Sequence, residues 1–154
     1  MSSKPTGQSG LSLIELITVL GIIALISAVA IPQYKKFSAR SRMAEAKSAL
    51  KAIHTLQLSY YGDFDRYGVV APYGKLADGS FACDINDIEF RLPGCGSTSS
   101  KIRYWFEVTT ASSGGSYSAI ATGRIVEGCN TADVWEIRED GQLRHTTNAP
   151  ILCQ

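Results

Sequence analysis

Residues 10–34 read GLSLIELITVLGIIALISAVAIPQY, and the fold turns on how this stretch is read. From Leu11 to Ile31 it runs 21 residues with Glu15 as its only charge. As a helix rising ~1.5 Å per residue it spans about 31 Å, enough to cross a bilayer. A buried soluble helix of that length is rarely apolar on every face, so the run is a membrane segment. Three membrane readings compete. A cleaved signal peptide has Lys4 as its charged start and Ala28-Val29-Ala30 as its cutting site, leaving Ile31 first. An uncut anchor keeps the run. Both must tolerate Glu15, and a central carboxylate costs about 2.5–3.5 kcal/mol on insertion scales. In the third reading the chain is cut before the run, at Gly10, and the acid has a purpose.

The residues themselves carry a family resemblance. Glycine, an apolar residue, a short one, Leu-Ile-Glu-Leu, then an apolar stretch ending in Ile-Pro-Gln-Tyr resembles the N-terminus of type IV prepilins, of the type IVa-like major kind. Glu15 falls fifth after Gly10 and Pro32 twenty-second, as in that family. AEAKSALKAIHTLQLSYY, residues 44–61, is similar to the stalk of motility-type major pilins. The likeness is close over roughly the first 62 residues and an outline beyond. Two positions depart from the pattern. Leu11 stands where the family usually has phenylalanine, and a glycine expected at Ala24 appears instead at Gly21.

The resemblance implies that a prepilin peptidase cuts between Gly10 and Leu11 and methylates the new amine of Leu11. It implies a homopolymeric helical filament built by an inner-membrane platform with assembly and retraction ATPases, passing an outer-membrane secretin. In that filament Glu15 would face the N-terminal ammonium of a neighbouring subunit, since a buried charge is tolerable only when paired. Within one chain the alternative is that Glu15, about 6 Å from Leu11 along a helix, pairs locally or reaches the lipid surface. The unassembled subunit would sit in the inner membrane with its head on the periplasmic side, and later in an extracellular pilus. Positive-inside counting runs the other way, because the basic residues after the run outnumber Lys4 and the start amine.

The charge is uneven. Lys35, Lys36, Arg40, Arg42, Lys47 and Lys51 against Glu45 make a net of +5 up to Tyr61, while eight basic and twelve acidic residues from Gly62 onward make −4. A basic stalk joins an acidic head, which argues against a passive nucleic-acid binder. All four cysteines, Cys83, Cys95, Cys129 and Cys153, lie in the head with no CxxC spacing, so zinc is disfavoured. Two disulfides in an oxidising compartment are expected. Four cysteines allow three connectivities; the sequence-local pairs Cys83–Cys95 and Cys129–Cys153 are preferred, each contributing about 3 kcal/mol by loop entropy. The second would close a segment resembling the C-terminal disulfide loop of pilin heads.

Pro32 bends the helix without ending it. Beyond it Met43, Ala46, Leu50, Ile53, Gln57 and Tyr60 recur at threes and fours, one stripe for a sheet to cover, with a stop at Gly62-Asp63. Residues 62–100, rich in Gly, Asp and Pro, read as an irregular connector. Ile102, Tyr104, Phe106 and Val108 alternate as a strand, YSAIATGRIV follows a turn, and DVWEIRED-GQLRHTT reads as a hairpin at Asp140-Gly141. The expected fold is α+β: a long N-terminal helix on a roughly four-stranded antiparallel sheet, the pilin fold. It divides into a leader (1–10), a transmembrane and polymerisation helix (11–34), an amphipathic helix (35–62) and a globular head (63–154).

No enzyme is read here. His54 and His145 lack companions for a triad or a metal site, and Asp78, Asp84 and Asp87 lack EF-hand spacing for calcium. The serines lack a nucleophile elbow. No cofactor or metal is implied. Tyr34, Phe37, Tyr60, Tyr61, Phe64 and Tyr67 are read as packing residues, and the basic residues of the stalk as a solvated face or a contact with acidic neighbouring heads. The expected function is structural: a pilus subunit serving adhesion, retraction-driven motility or DNA uptake. The alternatives are a minor pilin or type II secretion pseudopilin and, from another class, a secreted binding domain cut after Ala30.

Overall fold

The computed structural model describes residues 12–97, 102–124 and 131–147. The chain divides into two compact units, Met1–Lys35 and Lys36–Gln154. Helix α1 (Leu13–Phe64) contains Pro32 without a break in its assignment. In the first unit its large apolar side chains are all exposed, Leu13 at 74% and Leu25 at 75% among them. Isoleucine and valine are poor helix formers in water, but in lipid every backbone group must be satisfied within the segment, and a helix does so. Thr18 follows the same logic, its hydroxyl donating to the Ile14 carbonyl at 2.8 Å.

In the second unit α1 buries the stripe Ala39, Met43, Ala46, Ala49, Leu50, Ile53 and Gln57. Its end differs from the expected one. Gly62 lies inside the helix, which stops when Asp65 takes a left-handed φ of 53°. Asp65 still donates its N–H to the Tyr61 carbonyl at 2.9 Å, closing the last turn.

Among the described residues six strands form one antiparallel sheet, two more than the roughly four expected. They are β1 (Val70–Lys75), β2 (Phe81–Ala82), β3 (Tyr104–Thr110), β4 (Tyr117–Gly123), β5 (Asp133–Arg138) and β6 (Leu143–Thr147), in the order β2-β1-β3-β4-β5-β6. The two extra strands come from the stretch expected to be irregular. Pro72 and Gly74 punctuate β1, and the register against β3 slips between Val70 and Tyr73, so the proline falls where no ladder N–H is needed. Gly74 has φ 115°, and a Cβ there would lie 2.6 Å from the Tyr104 carbonyl oxygen. Glycine is thus what lets β1 lie against β3.

The alternation read in β3 is the one observed: Ile102, Tyr104, Phe106 and Val108 are all buried. Tyr104, Phe106 and Val108, with Tyr117, Ala119 and Ala121 of β4 and Trp135 and Ile137 of β5, meet Met43, Ala46, Ala49, Leu50 and Ile53 of the helix in one core. The segment before β3 enters that core too, Phe90 packing edge-on against Tyr73 and Phe106, each with centroids 5.6 Å apart. Asn86 holds this turn by exchanging two hydrogen bonds of 2.9 Å with the Phe90 backbone. Gln57, the polar member of the stripe, is fully buried and clasps Gly68, accepting its N–H at 2.9 Å and donating to its carbonyl at 2.7 Å. Each group of the buried amide thereby finds a partner.

Candidate assembly surface

The first element is the start of α1. Ser12 precedes the helix, and its backbone N–H donates to Glu15 Oε2 at 2.8 Å. Serine followed three residues later by glutamate is the capping-box spacing, with the carboxylate near the positive end of the helix dipole. In the single chain Glu15 therefore has a local partner, the Ser12 backbone N–H. Gly10 and Leu11 lie outside the described residues. From Leu13 to Ile31 the helix presents apolar side chains on every side, and it is long and apolar enough to cross a membrane.

A second stripe lies beside the buried one on the later part of α1. Lys47, Lys51 and His54 recur at spacings of four and three, and each reaches the sheet side. The Lys47 ammonium stands 4.2 Å from the centre of the Trp135 ring. Lys51 Nζ donates to the Gly141 carbonyl at 2.6 Å, and His54 Nδ1 meets the Tyr117 hydroxyl at 2.5 Å. Gly141 has φ 67°, and a Cβ there would approach His54 Nε2 to 3.0 Å, so the β5–β6 turn needs glycine for conformation and for room. These basic residues are engaged with their own head, which corrects the reading of the whole stalk as a solvated face. The spacing 47, 51, 54 was the available signal.

The sequence reading missed the centre of this region. Asp133 is fully buried. Its Oδ2 accepts from the Tyr104 hydroxyl at 2.6 Å and from Trp135 Nε1 at 2.7 Å, while Oδ1 meets His145 Nε2 at 2.7 Å. The His145 ring stacks on Trp135 at 4.0 Å and 7°. Burial first, and the Asp133 carboxylate second, push the Tyr104 phenol well above its ordinary range. The network ties β3, β5 and β6 together, and its carboxylate is spent on structural donors. On the outer face Glu136 accepts from Ser118 at 2.7 Å and from Arg138 Nε at 2.6 Å. The Arg138 hydrogen bond first, then that of Ser118, holds its carboxyl below the usual range.

A groove of about 480 Å³ opens between α1 and the segment before β3, lined by Glu45, Ala49, Ala52, Phe90, Leu92 and Ile102 among others. Burial raises the Glu45 carboxyl, opposed by the guanidinium and backbone N–H of Arg103. Among the described residues no group of three His, Cys, Asp or Glu is placed to hold a metal ion. Cys83 and Cys95 are joined as a disulfide; Cys129 and Cys153 lie outside the described residues.

Comparison with known proteins returns pilins. The chain is 50% identical over 58 residues to the type IV major pilin protein PilA of Myxococcus xanthus, covering 38% of this chain and 26% of that one. It is 44% identical over 48 residues to a fimbrial protein of Pseudomonas aeruginosa, 31% of either chain. Against a type IV major pilin protein of Neisseria gonorrhoeae it is 23% identical over 146 residues, 95% of this chain and 72% of the relative. The matched region thus spans about a quarter to a third of the first relatives' lengths. No family model matches the chain, and no solved structure matches it significantly. The resemblance to type IV pilins stands, and the α+β pilin fold stands with it.

Proposed function

We propose that this chain is the structural subunit of a type IV pilus, made as a prepilin, cut between Gly10 and Leu11, methylated on Leu11 and polymerised through the apolar part of α1. What carries the reading is the exposed apolar helix from Leu13 to Ile31 with one carboxylate at its start. Such a surface needs a bilayer or copies of itself. In the bilayer Glu15 keeps its cap on Ser12. In the filament the same carboxylate meets the ammonium of a neighbouring Leu11, and one partner is exchanged for a stronger charge-assisted one. Pro32 sits at the end of the packed run, where a missing N–H makes the helix easiest to bend. The peptidase, the ATPase-driven platform and the secretin are the partners this reading requires, because lifting an apolar helix out of lipid takes external work. Adhesion, retraction-driven motility and DNA uptake are the tasks such a filament performs.

The test is intact mass and N-terminal sequence of the protein from sheared surface fibres of its native cell. A start at Leu11 with about 14 Da of added methyl mass, one CH₂ for one hydrogen-to-methyl exchange, is expected. A start at Ile31 would remove the polymerisation helix and the reading with it. Gly10→Val should block processing. Non-reducing peptide mapping of the same material should recover Cys129 with Cys153.

A further inference from the structure

The basic residues of α1 fall into two groups. Lys47 and Lys51 are spent on Trp135 and the Gly141 carbonyl, and Arg42 lies close enough to the Tyr104 phenol to act on it. Lys35, Lys36 and Arg40 are exposed and have no ion pair among the described residues. No acidic residue occurs between Glu15 and Glu45 to neutralise them. They begin four residues after Ile31, about 6 Å along a helix from the last large apolar side chain, which is roughly the depth of a headgroup layer. Two aromatic residues are interleaved with them, Tyr34 at 72% and Phe37 at 71% exposure. Tyrosine partitions to the membrane–water boundary, phenylalanine to the apolar side of it, and long basic side chains beside them reach for phosphate.

We propose that Lys35, Lys36 and Arg40 form a collar that binds the headgroups of anionic glycerophospholipids, with Tyr34 and Phe37 seated at the same boundary. The proposal rests on the reading of residues 13–31 as a membrane segment. Charge complementarity selects the anionic lipid over a zwitterionic one, whose own ammonium cancels the attraction. The interleaved aromatics and the immediate continuity with the apolar run favour a lipid layer over an acidic protein face. The collar also answers the adverse positive-inside count. Three cations on the head side of the span are held there by counter-charges in that leaflet, and they are released only when the subunit leaves the bilayer.

The full chain is reconstituted in phosphatidylcholine bilayers with trace spin-labelled phosphatidylglycerol or phosphatidylcholine, and the motionally restricted fraction of each label is measured. Phosphatidylglycerol should be preferred about fivefold, the worth of one basic residue at an anionic surface. The preference should fall toward one in K35Q/K36Q/R40Q and in about 1 M salt. K51Q, whose lysine is tied to Gly141, should keep it. Equal restriction of both labels by the wild-type chain overturns the collar, and so does a triple variant that retains the preference. If the wild type shows no lipid preference while the triple variant loses subunit cross-links, the partner is an acidic protein face and the proposal falls. If neither label is restricted and the chain does not float with the vesicles, it is the membrane reading that has failed.

Discussion

Asp133 is fully buried and holds three donors on two oxygens, so its removal takes the partner from a phenol, an indole and an imidazole at once. Asp133→Ala should cost about 2–4 kcal/mol and Tyr104→Phe about 1.5–3 kcal/mol, read from denaturant unfolding followed by tryptophan fluorescence. Glu136 supplies a pH signature. Its folded pKa is depressed, so its contribution is present above the ordinary glutamate value of 4.5 and is lost as pH falls through the lower folded value. Glu136→Gln should therefore flatten the loss of melting temperature below that pH and leave neutral pH little changed; an equally steep acid limb would refute the assignment. Neither Asp133 nor Gln57 was legible as a network member. An acid in the inward register of β5 marks a buried polar site, but its partners Tyr104 and His145 are 29 and 12 residues away and only the sheet brings them together. Gln57 fell in the stripe by spacing alone, and its reason, the Gly68 peptide, appears only once the chain has turned back.

Among the elements, the helix and the four later strands were readable because each repeats a period long enough to outweigh its interruptions. Strands β1 and β2 were not. Pro72, Gly74 and a two-residue partner give no alternation, and what makes β1 a strand is the neighbouring β3 rather than its own residues. The helix stop moved for a related reason, since an open Gly62 is tolerated and the left-handed Asp65 performs the termination. Close approach between β3 and β4 makes a sharper prediction. A Cβ at Gly123 would lie 2.6 Å from both the Arg103 carbonyl and the Tyr104 ring. Gly123→Ala should destabilise the head by about 1–3 kcal/mol in thermal or urea unfolding, whereas Gly79→Ala, which meets no atom within 4 Å, should suffer only from its φ of 89°.

At the scale of the whole molecule, the exposed apolar run lies in one compact unit and the buried core in the other. Glu15→Ala should leave the head's unfolding curve and the leader's removal intact while depressing the yield of sheared fibres; normal yield from that variant would sink the trans-pairing role of Glu15. The described sheet adds one more consequence. At one end it has β2, only two residues long. At the other it has β6, whose Arg144 is ion-paired to Asp140 and whose Thr146 and Thr147 are exposed. Short and charged edges are poor templates for a further strand. If the chain assembles as proposed, neighbouring heads would meet through side chains rather than through a shared backbone ladder.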